Sequence, residues 1–234
     1  MSDFEFREPA VVSEELRMLR DQARRFVKDV VEPHGEQWER DGLVPRSIFR
    51  ELGDLGLLGA RYPESCGGSE LGPMASVVLA EEFSRSSFGG FASSVNVHTD
   101  MSLAHIVHRG TEEQQQRYLP AAVAGEKIGA ICVTEPHAGS DVAGIKTRAV
   151  RDGDDWVING SKTFITNGVH GDIYIVAART DPDVKPSRGI SLFIVEKGTP
   201  GLTVAHEFEG KRIKWLILPL HESETDRHLI GLSG

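Results

Sequence analysis

The sequence predicts an α+β fold in which a helical N-terminal domain precedes a domain of short antiparallel strands, arranged as a barrel or a sandwich. Before Lys127, apolar residues recur every three or four positions, which is the period of amphipathic helices. Beyond Lys127 they form short runs separated by Gly, Asp and Pro, which indicates strands and turns. Asn159-Gly160 lies between two such runs and predicts a hairpin, because a type I′ turn needs positive φ at both central residues. The expected divisions are residues 1–127, residues 128–210 and an atypical tail at residues 211–234.

The composition restricts the classes of function. The 234 residues are 39% hydrophobic and 26% charged, and no apolar run is long enough for a membrane span. A net charge of −9 argues against bulk nucleic-acid binding, because a surface that follows phosphates needs a basic field. The acidic N-terminus lacks the features of a signal peptide, so we expect a cytoplasmic protein. Cys66 and Cys132 fit neither a disulfide framework nor a metal site, and we expect reduced core residues.

The helical half begins at Ser13, a good N-cap that is followed by two glutamates. Pro33 and Gly35 interrupt the first apolar pattern, which predicts that the helix kinks or restarts. Glu81-Glu82 is interpreted as part of a solvated helix face. Further helices are expected after Pro45, after Pro73, through residues 97–107 and from a capping box at Thr111 to Gln114.

The second half contains seven predicted strands. Each is a short apolar or alternating run bounded by turn residues. They are residues 128–134, 146–150, 156–158, 162–166, 173–178, 190–195 and 202–205.

A polar turn follows the first predicted strand. Pro136 and Gly139 stop the apolar run, and the turn carries the hydroxyls of Thr134 and Ser140 with several free backbone N–H groups. Such a turn suits a flat, partly anionic ligand with polar edges, since the backbone can approach closely at Gly139. The alternative is a strand that ends in a tight turn whose side chains satisfy local backbone groups, and spacing alone favours it. The sequence has neither a Gly-x-Gly-x-x-Gly nor a Gly-x-x-x-x-Gly-Lys-Ser/Thr loop, which argues against Rossmann and P-loop folds.

Four stretches, taken together, resemble the acyl-CoA dehydrogenase family across roughly residues 10–210. They are Phe49 to Gly59 (FRELGDLGLLG), Thr111 to Pro120, Thr134 to Asp141, and Asn159 to Gly168. The resemblance implies a helical N-terminal domain, a middle β-barrel domain and a C-terminal helical bundle, usually assembled as a homotetramer. For this chain it implies the helical domain and an antiparallel β-barrel, without the helical bundle.

The same resemblance implies a site for FAD at the barrel. The residues that it assigns to the flavin are Ile131, Val133, Thr134, Gly139, Ser140, Phe164, Ile165 and Thr166. Ile131, Val133 and Thr134 would contact the pyrimidine side of the ring, and the last three would flank it, with Thr166 near N5. Ser140 would also contact the thioester of the CoA substrate.

The implied reaction is α,β-dehydrogenation of an acyl-CoA thioester, in which a carboxylate removes an α-proton while the β-hydride passes to flavin N5. The implied electron acceptor is electron transfer flavoprotein. The family's glutamate base falls beyond residue 234, so no catalytic residue is assigned, and Glu135 is interpreted as part of the turn.

The tail departs from the family pattern. The run from Ile213 to His221 has neither the turn nor the strand that the family shows there, which predicts a frameshift or an early end of the coding sequence. Two other functions remain open on these residues. One is a flavin oxidase or monooxygenase of the same fold, and the other is an inactive remnant that binds flavin or CoA.

Overall fold

The computed structural model describes residues 12–203, 206–207, 216–225 and 229–230, with helices first and strands after them. The α-helices are α1 (Glu14–Phe26), α2 (Glu32–Asp41), α3 (Arg46–Asp54), α4 (Pro73–Ser84), α5 (Gly89–Asn96), α6 (Ala104–Arg109) and α7 (Glu112–Val123). The strands are β1 (Gly129–Cys132), β2 (Arg148–Asp152), β3 (Asp155–Lys162), β4 (Ile173–Arg179), β5 (Ile190–Glu196), β6 (His206–Glu207), β7 (Leu216–Thr225) and β8 (Leu229–Ile230). None of the described helices combines the length and the apolar composition that crossing a membrane requires.

The helix starts follow the sequence signals. The Ser13 hydroxyl accepts a hydrogen bond from the N–H of Leu16 at the start of α1, and the capping box of Thr111 and Gln114 is present at the start of α7. The interruption expected at Pro33 takes a milder form. Hydrogen bonding changes from α to π at Val27–Val31, just before Pro33, and the backbone stays helical into α2.

The solvated position predicted for Glu82 is wrong. α4 packs against α1, and the Glu82 side chain is 0% exposed. Its carboxylate accepts hydrogen bonds from Nε and Nη2 of Arg24 at 3.0 and 2.8 Å, and Arg85 Nε lies 3.2 Å away. Burial alone would raise the pKa of Glu82, but these guanidinium groups lower it below its usual range. The pattern of charges in a sequence does not reveal such a partner.

The strands form a mixed, open sheet, so the prediction of an antiparallel barrel is wrong. The order is β6-β7-β3-β2-β4-β5-β8, with β1 also beside β4, and this path does not close on itself among the described strands. β1 pairs with β4 in parallel from Gly129↔Ile173 onward, and β2 meets β4 in parallel at Arg148↔Arg179. Residue periodicity identifies strands but does not fix their direction. Here β1 enters the sheet from α7, and its partner arrives only after the β2–β3 hairpin.

Asn159-Gly160 does not form the predicted hairpin turn. Both residues lie within β3, and β2 is joined to β3 at Gly153, where φ is +61°. A Cβ atom on Gly160 would lie 2.3 Å from Thr147 Oγ1, and the pairing of β3 with β7 shifts register at this point. The glycine therefore permits a close approach of neighbouring backbone instead of a turn.

Two further strand predictions need correction. β3 ends at Lys162, so residues 163–166 are not the strand that was expected. The expectation that the run from Ile213 to His221 lacks the strand is also wrong, because residues 216–221 belong to β7, which pairs with β3. Residues 211–215 lie outside the described residues, and so do residues 204 and 205 of the last predicted strand.

Buried apolar residues form three groups, and one of them joins the two halves of the chain. The first group lies among the helices and the third within the sheet. The second contains helical residues such as Leu103 and Tyr118 together with Ile173 and Ile175 of β4. Cys66 and Cys132 are both buried and free, as expected. Residues of the helices and of the sheet therefore share one apolar core.

Candidate functional site

The structure places the two stretches singled out in the sequence side by side. One is the polar turn, residues 134–141, and the other, called here the facing loop, is residues 163–168. The N–H of Thr163 donates to the Thr134 carbonyl at 2.9 Å, and the Thr134 hydroxyl donates to the Thr163 carbonyl. These reciprocal bonds fix the start of the facing loop against the start of the polar turn.

β1 leads into the polar turn with one edge open. Its strand partner among the described residues is β4 alone, so its other edge pairs with no strand there. Ile131 and Val133 are half-buried, in contrast to the fully buried Ala130 and Cys132 that alternate with them. An open edge of this kind offers backbone donors and acceptors to a ligand with a polar rim.

Much of the polar turn is exposed, and backbone hydrogen bonds close it. Glu135 and Ala138 exchange two hydrogen bonds, at 2.9 and 3.1 Å. Gly139 and Ser140 are exposed, and a Cβ atom on Gly139 would meet nothing within 4 Å. Within the described part of the chain, no acceptor is bonded to the N–H groups of Gly139 and Ser140 or to the Ser140 hydroxyl. This part of the turn is free to donate to a ligand.

Glu135 is fully engaged inside the protein. Its side chain is 2% exposed and accepts hydrogen bonds from the N–H groups of Lys146 and Thr147, the Thr147 hydroxyl and Lys162 Nζ. Burial acts to raise the pKa of Glu135, but the bonds from Lys162 and Thr147 outweigh it and lower the pKa to about 2. A carboxylate that is this weakly basic and surrounded by donors is a poor proton acceptor, which agrees with its interpretation as part of the turn.

The facing loop has an unusual backbone. Phe164 and Asn167 have φ of +60° and +63°, a region that L residues rarely occupy. The Phe164 side chain is 52% exposed, whereas Ile165 is 1% exposed and belongs to the core of the sheet. The side chain of Ile165 therefore lies in the core, and its carbonyl accepts the N–H of Gly168 at 3.0 Å.

Thr166 lines a cavity between the facing loop and the helices. The cavity contains about 640 Å³ of empty space, its open mouth included. Its wall is largely aromatic and aliphatic: Trp38, Phe49, Phe88, Phe91, Ile128 and Val169. The Thr166 hydroxyl forms no hydrogen bond with the described residues. The site thus combines a free hydroxyl with a largely apolar cavity.

The sequence assigned no role to three residues of this region. Lys162 is 0% exposed and bonds to the Val133 carbonyl and to Glu135; a lysine in a strand gives no sign of this position. Asn167 bonds through its side-chain amide to the carbonyls of Ser94 and Gly129. Here a signal existed, because Asn before Gly is typical of a backbone with positive φ.

The third missed residue, His98, joins the end of α7 to the start of β1. Its Nε2 lies 3.1 Å from the Ala122 carbonyl, and its Nδ1 accepts the N–H of Gly129 at 2.9 Å. These partners assign the proton to Nε2. Complete burial lowers the pKa of His98 to about 4, so the ring is neutral at pH 7. A histidine in an apolar helical pattern does not reveal this role.

Comparison with known proteins decides the family. The model of the acyl-CoA dehydrogenase N-terminal domain matches residues 13–126, and the model of the middle domain matches residues 130–213. The chain belongs to the acyl-CoA dehydrogenase family. The resemblance inferred from the four sequence stretches is thereby confirmed.

Individual relatives agree with the family assignment. Mitochondrial isovaleryl-CoA dehydrogenase of Pongo abelii is 39% identical over 201 residues, which are 85% of this chain and 47% of that protein. The acyl-CoA dehydrogenase structure from Geobacillus kaustophilus superposes with a TM-score of 0.88 at 40% identity, covering 95% of this chain and 59% of that one. An acyl-CoA dehydrogenase complexed with FAD, from Bacillus anthracis, gives a TM-score of 0.86 at 33% identity over 96% of this chain and 39% of that one. The chain therefore spans about half the length of the curated relatives it matches.

Proposed function

We propose that this chain is the flavin-binding part of an FAD-dependent acyl-CoA dehydrogenase, an enzyme that converts an acyl-CoA thioester into the 2-enoyl-CoA. One observation carries the proposal. The open edge of β1 leads into the polar turn with its free donors, and the polar turn is bonded to the facing loop, whose Thr166 lines a largely apolar cavity. Family membership supports the same reaction class.

The donor set fits a flavin. An isoalloxazine ring has a polar pyrimidine edge and an apolar face, so it requires hydrogen-bonding groups along one side and a flat apolar neighbour on the other. The edge at Ile131 and Val133 supplies the first, and the half-exposed ring of Phe164 supplies the second. The N–H groups at Gly139 and Ser140 suit the anionic pyrophosphate part of FAD.

Each residue has a proposed part in holding FAD. Ile131, Val133 and Thr134 would bind the pyrimidine side through backbone groups, because the Thr134 hydroxyl already donates to Thr163. Ile165 would contribute backbone, and Thr166 would donate its hydroxyl near N5. When bound, FAD supplies the acceptor for the hydride that leaves the β-carbon of the substrate.

The remaining partners are proposals as well. The apolar cavity beside Thr166 suits the acyl chain of a thioester, and the exposed Ser140 is proposed to contact both flavin and CoA. We further propose electron transfer flavoprotein as the electron acceptor, a homotetramer as the assembly and a cytoplasmic location. We also keep residues 1–127 and 128–210 as the proposed domains, with residues 211–234 as the tail.

Flavin binding is the experiment that tests the proposal. The purified chain is freed of ligand, titrated with FAD and monitored by quenching of the flavin fluorescence, with a heat-unfolded sample as the control. Saturable quenching of the flavin fluorescence is expected. Acyl-CoA thioesters are then added without oxygen to the chain with FAD bound, and loss of the visible absorbance of the flavin reports the reaction. A folded chain that leaves FAD fluorescence unchanged at all concentrations contradicts the proposal.

A further inference from the structure

A buried ion pair lies directly beneath the polar turn. Lys162 Nζ is 2.8 Å from Glu135 Oε1, and the two side chains are 0% and 2% exposed. Lys162 is the last residue of β3, and Glu135 is the second residue of the polar turn. One pair therefore connects the two segments that the proposed flavin site uses.

The other hydrogen bonds of the pair join backbone groups on either side of the polar turn. The second bond of Lys162 Nζ goes to the Val133 carbonyl at 2.9 Å. Glu135 accepts the N–H of Lys146 at 2.6 Å and that of Thr147 at 3.0 Å, and His137 Nε2 lies 3.3 Å from its other oxygen. Through these contacts the pair fixes both ends of the peptide run from Val133 to Glu135.

Stability alone is a weak account of this arrangement. Removing two charges from water costs several kcal/mol per ion, and apolar residues of similar volume often serve a fold equally well. The position of the pair indicates a more specific role than stability. Thr163, the residue after Lys162, exchanges hydrogen bonds with Thr134. Lys162 therefore fixes the position of both the facing loop and the Val133 carbonyl.

We propose that Lys162 is a positioning residue for the flavin and that Glu135 is its buried counter-ion. The pair orients the Val133–Thr134 peptide, so that the backbone groups on the open side of β1 meet the pyrimidine edge of the ring. This inference rests on the proposed function, because it concerns the same site. Neither residue touches the flavin in this arrangement.

The main variant removes both charges. In Lys162→Met with Glu135→Gln, no buried charge is left unpaired, so the chain is expected to fold, but the bond to the Val133 carbonyl is lost. We expect FAD to bind at least about tenfold more weakly and the visible spectrum of bound flavin to shift. Amide exchange at Thr163 and Ala138, whose N–H groups close the two segments, is expected to quicken in the chain without flavin.

Glu82→Gln is the matched control. Glu82 is also a fully buried carboxylate with arginine partners, but it lies in α4, away from the polar turn. The Glu82→Gln variant is expected to have a lower melting temperature, with FAD affinity, flavin spectrum and amide exchange at Thr163 unchanged.

The contrary results are distinct. A double variant that binds FAD with the affinity and spectrum of the wild type overturns the positioning role and leaves the proposed function intact. A double variant that fails to fold also overturns it, because the pair is then required by the fold itself. A wild-type chain that binds no FAD overturns both.

Discussion

Thr166 is the side chain whose proposed role separates most cleanly from stability. Thr166 lines the cavity, and its hydroxyl has no hydrogen-bond partner among the described residues. Thr166→Val keeps the shape and removes the donor, so we expect an unchanged melting temperature and FAD affinity reduced about tenfold, the effect of one lost hydrogen bond. Fluorescence titration measures the affinity. Thr166→Ser keeps the hydroxyl and is expected to bind as the wild type does, and equal losses in both variants would contradict a role for the hydroxyl.

His98 makes stability depend on pH in a defined window. Its pKa in the folded chain is about 4, below the ordinary value of 6.5, because burial disfavours the charged ring. The unfolded chain therefore binds a proton first as pH falls, and the free energy of unfolding decreases from pH 6.5 down to pH 4. The loss is about 3 kcal/mol at the lower end. Denaturant titrations at a series of pH values measure it.

The control for this prediction is His98→Gln. A glutamine amide can bridge Ala122 and Gly129 without titrating. The free energy of unfolding of this variant is therefore expected to change less with pH between 6.5 and 4. Glu135, whose pKa is lowered from 4.5 to about 2, begins to lose its contribution near the lower end of this window, but it does so equally in both chains, so the difference between the wild type and His98→Gln isolates the histidine. A variant with the full wild-type slope would show that another group is responsible.

At the level of single residues, the sequence predicted the exposed parts of the candidate site better than its supports. The free donors at Gly139 and Ser140 follow from turn chemistry, since Pro136 and Gly139 end a strand in any context. Lys162 and His98 could not be found, because their burial depends on neighbours distant in sequence: Val133 and Glu135 for one, Ala122 and Gly129 for the other.

Among the secondary-structure elements, α5 and β1 are joined by one side chain of the facing loop. Asn167 Nδ2 donates to the carbonyls of Ser94 and Gly129 at 2.9 and 3.1 Å, and the Ser94 hydroxyl donates back to Asn167. Asn is favoured at its φ of +63°. We expect Asn167→Ala to lower the free energy of unfolding by about 2–3 kcal/mol, from unpaired carbonyls and backbone strain together.

Asn167→Gly separates these two causes. Glycine accepts positive φ but cannot bridge α5 and β1, so this variant is expected to be about 1 kcal/mol more stable than the alanine variant and still less stable than the wild type. Urea unfolding of the three chains measures the differences. Equal stability of the alanine and glycine variants would mean that the backbone of residue 167 is not strained.

The elements themselves were predictable to different degrees. Caps such as Ser13 and Thr111 act within one turn, so the helix starts at α1 and α7 followed from the sequence. The pairing of strands did not, because it depends on long-range neighbours. Gly160 looked like a turn residue and instead permits contact with Thr147, a neighbour that only the folded sheet provides.

Across the whole molecule, the helical half and the sheet share structure at their junction. Leu103 and Tyr118 pack in one apolar group with Ile173 and Ile175. The Arg46 guanidinium adds a polar connection, with bonds to the Glu126 carbonyl, the His170 carbonyl and the Asp172 carboxylate at 2.9, 2.7 and 2.7 Å. The secondary structure therefore changes from helix to strand beyond Lys127, but this apolar core continues across the change.

Shared burial predicts that both halves unfold in one cooperative transition. Trp38 lies in the helical half and Trp156 in the sheet, where its ring is 5.5 Å from that of Phe193. Chains that keep only one of these two tryptophans, with Trp215 replaced in both, report on each half by fluorescence. The two midpoints in urea are expected to coincide with each other and with the loss of helical circular dichroism. Arg46→Ala removes three hydrogen bonds at the junction and is expected to lower both midpoints equally. If the sheet instead unfolds at a lower urea concentration than the helices, residues 1–127 and 128–210 are independent units.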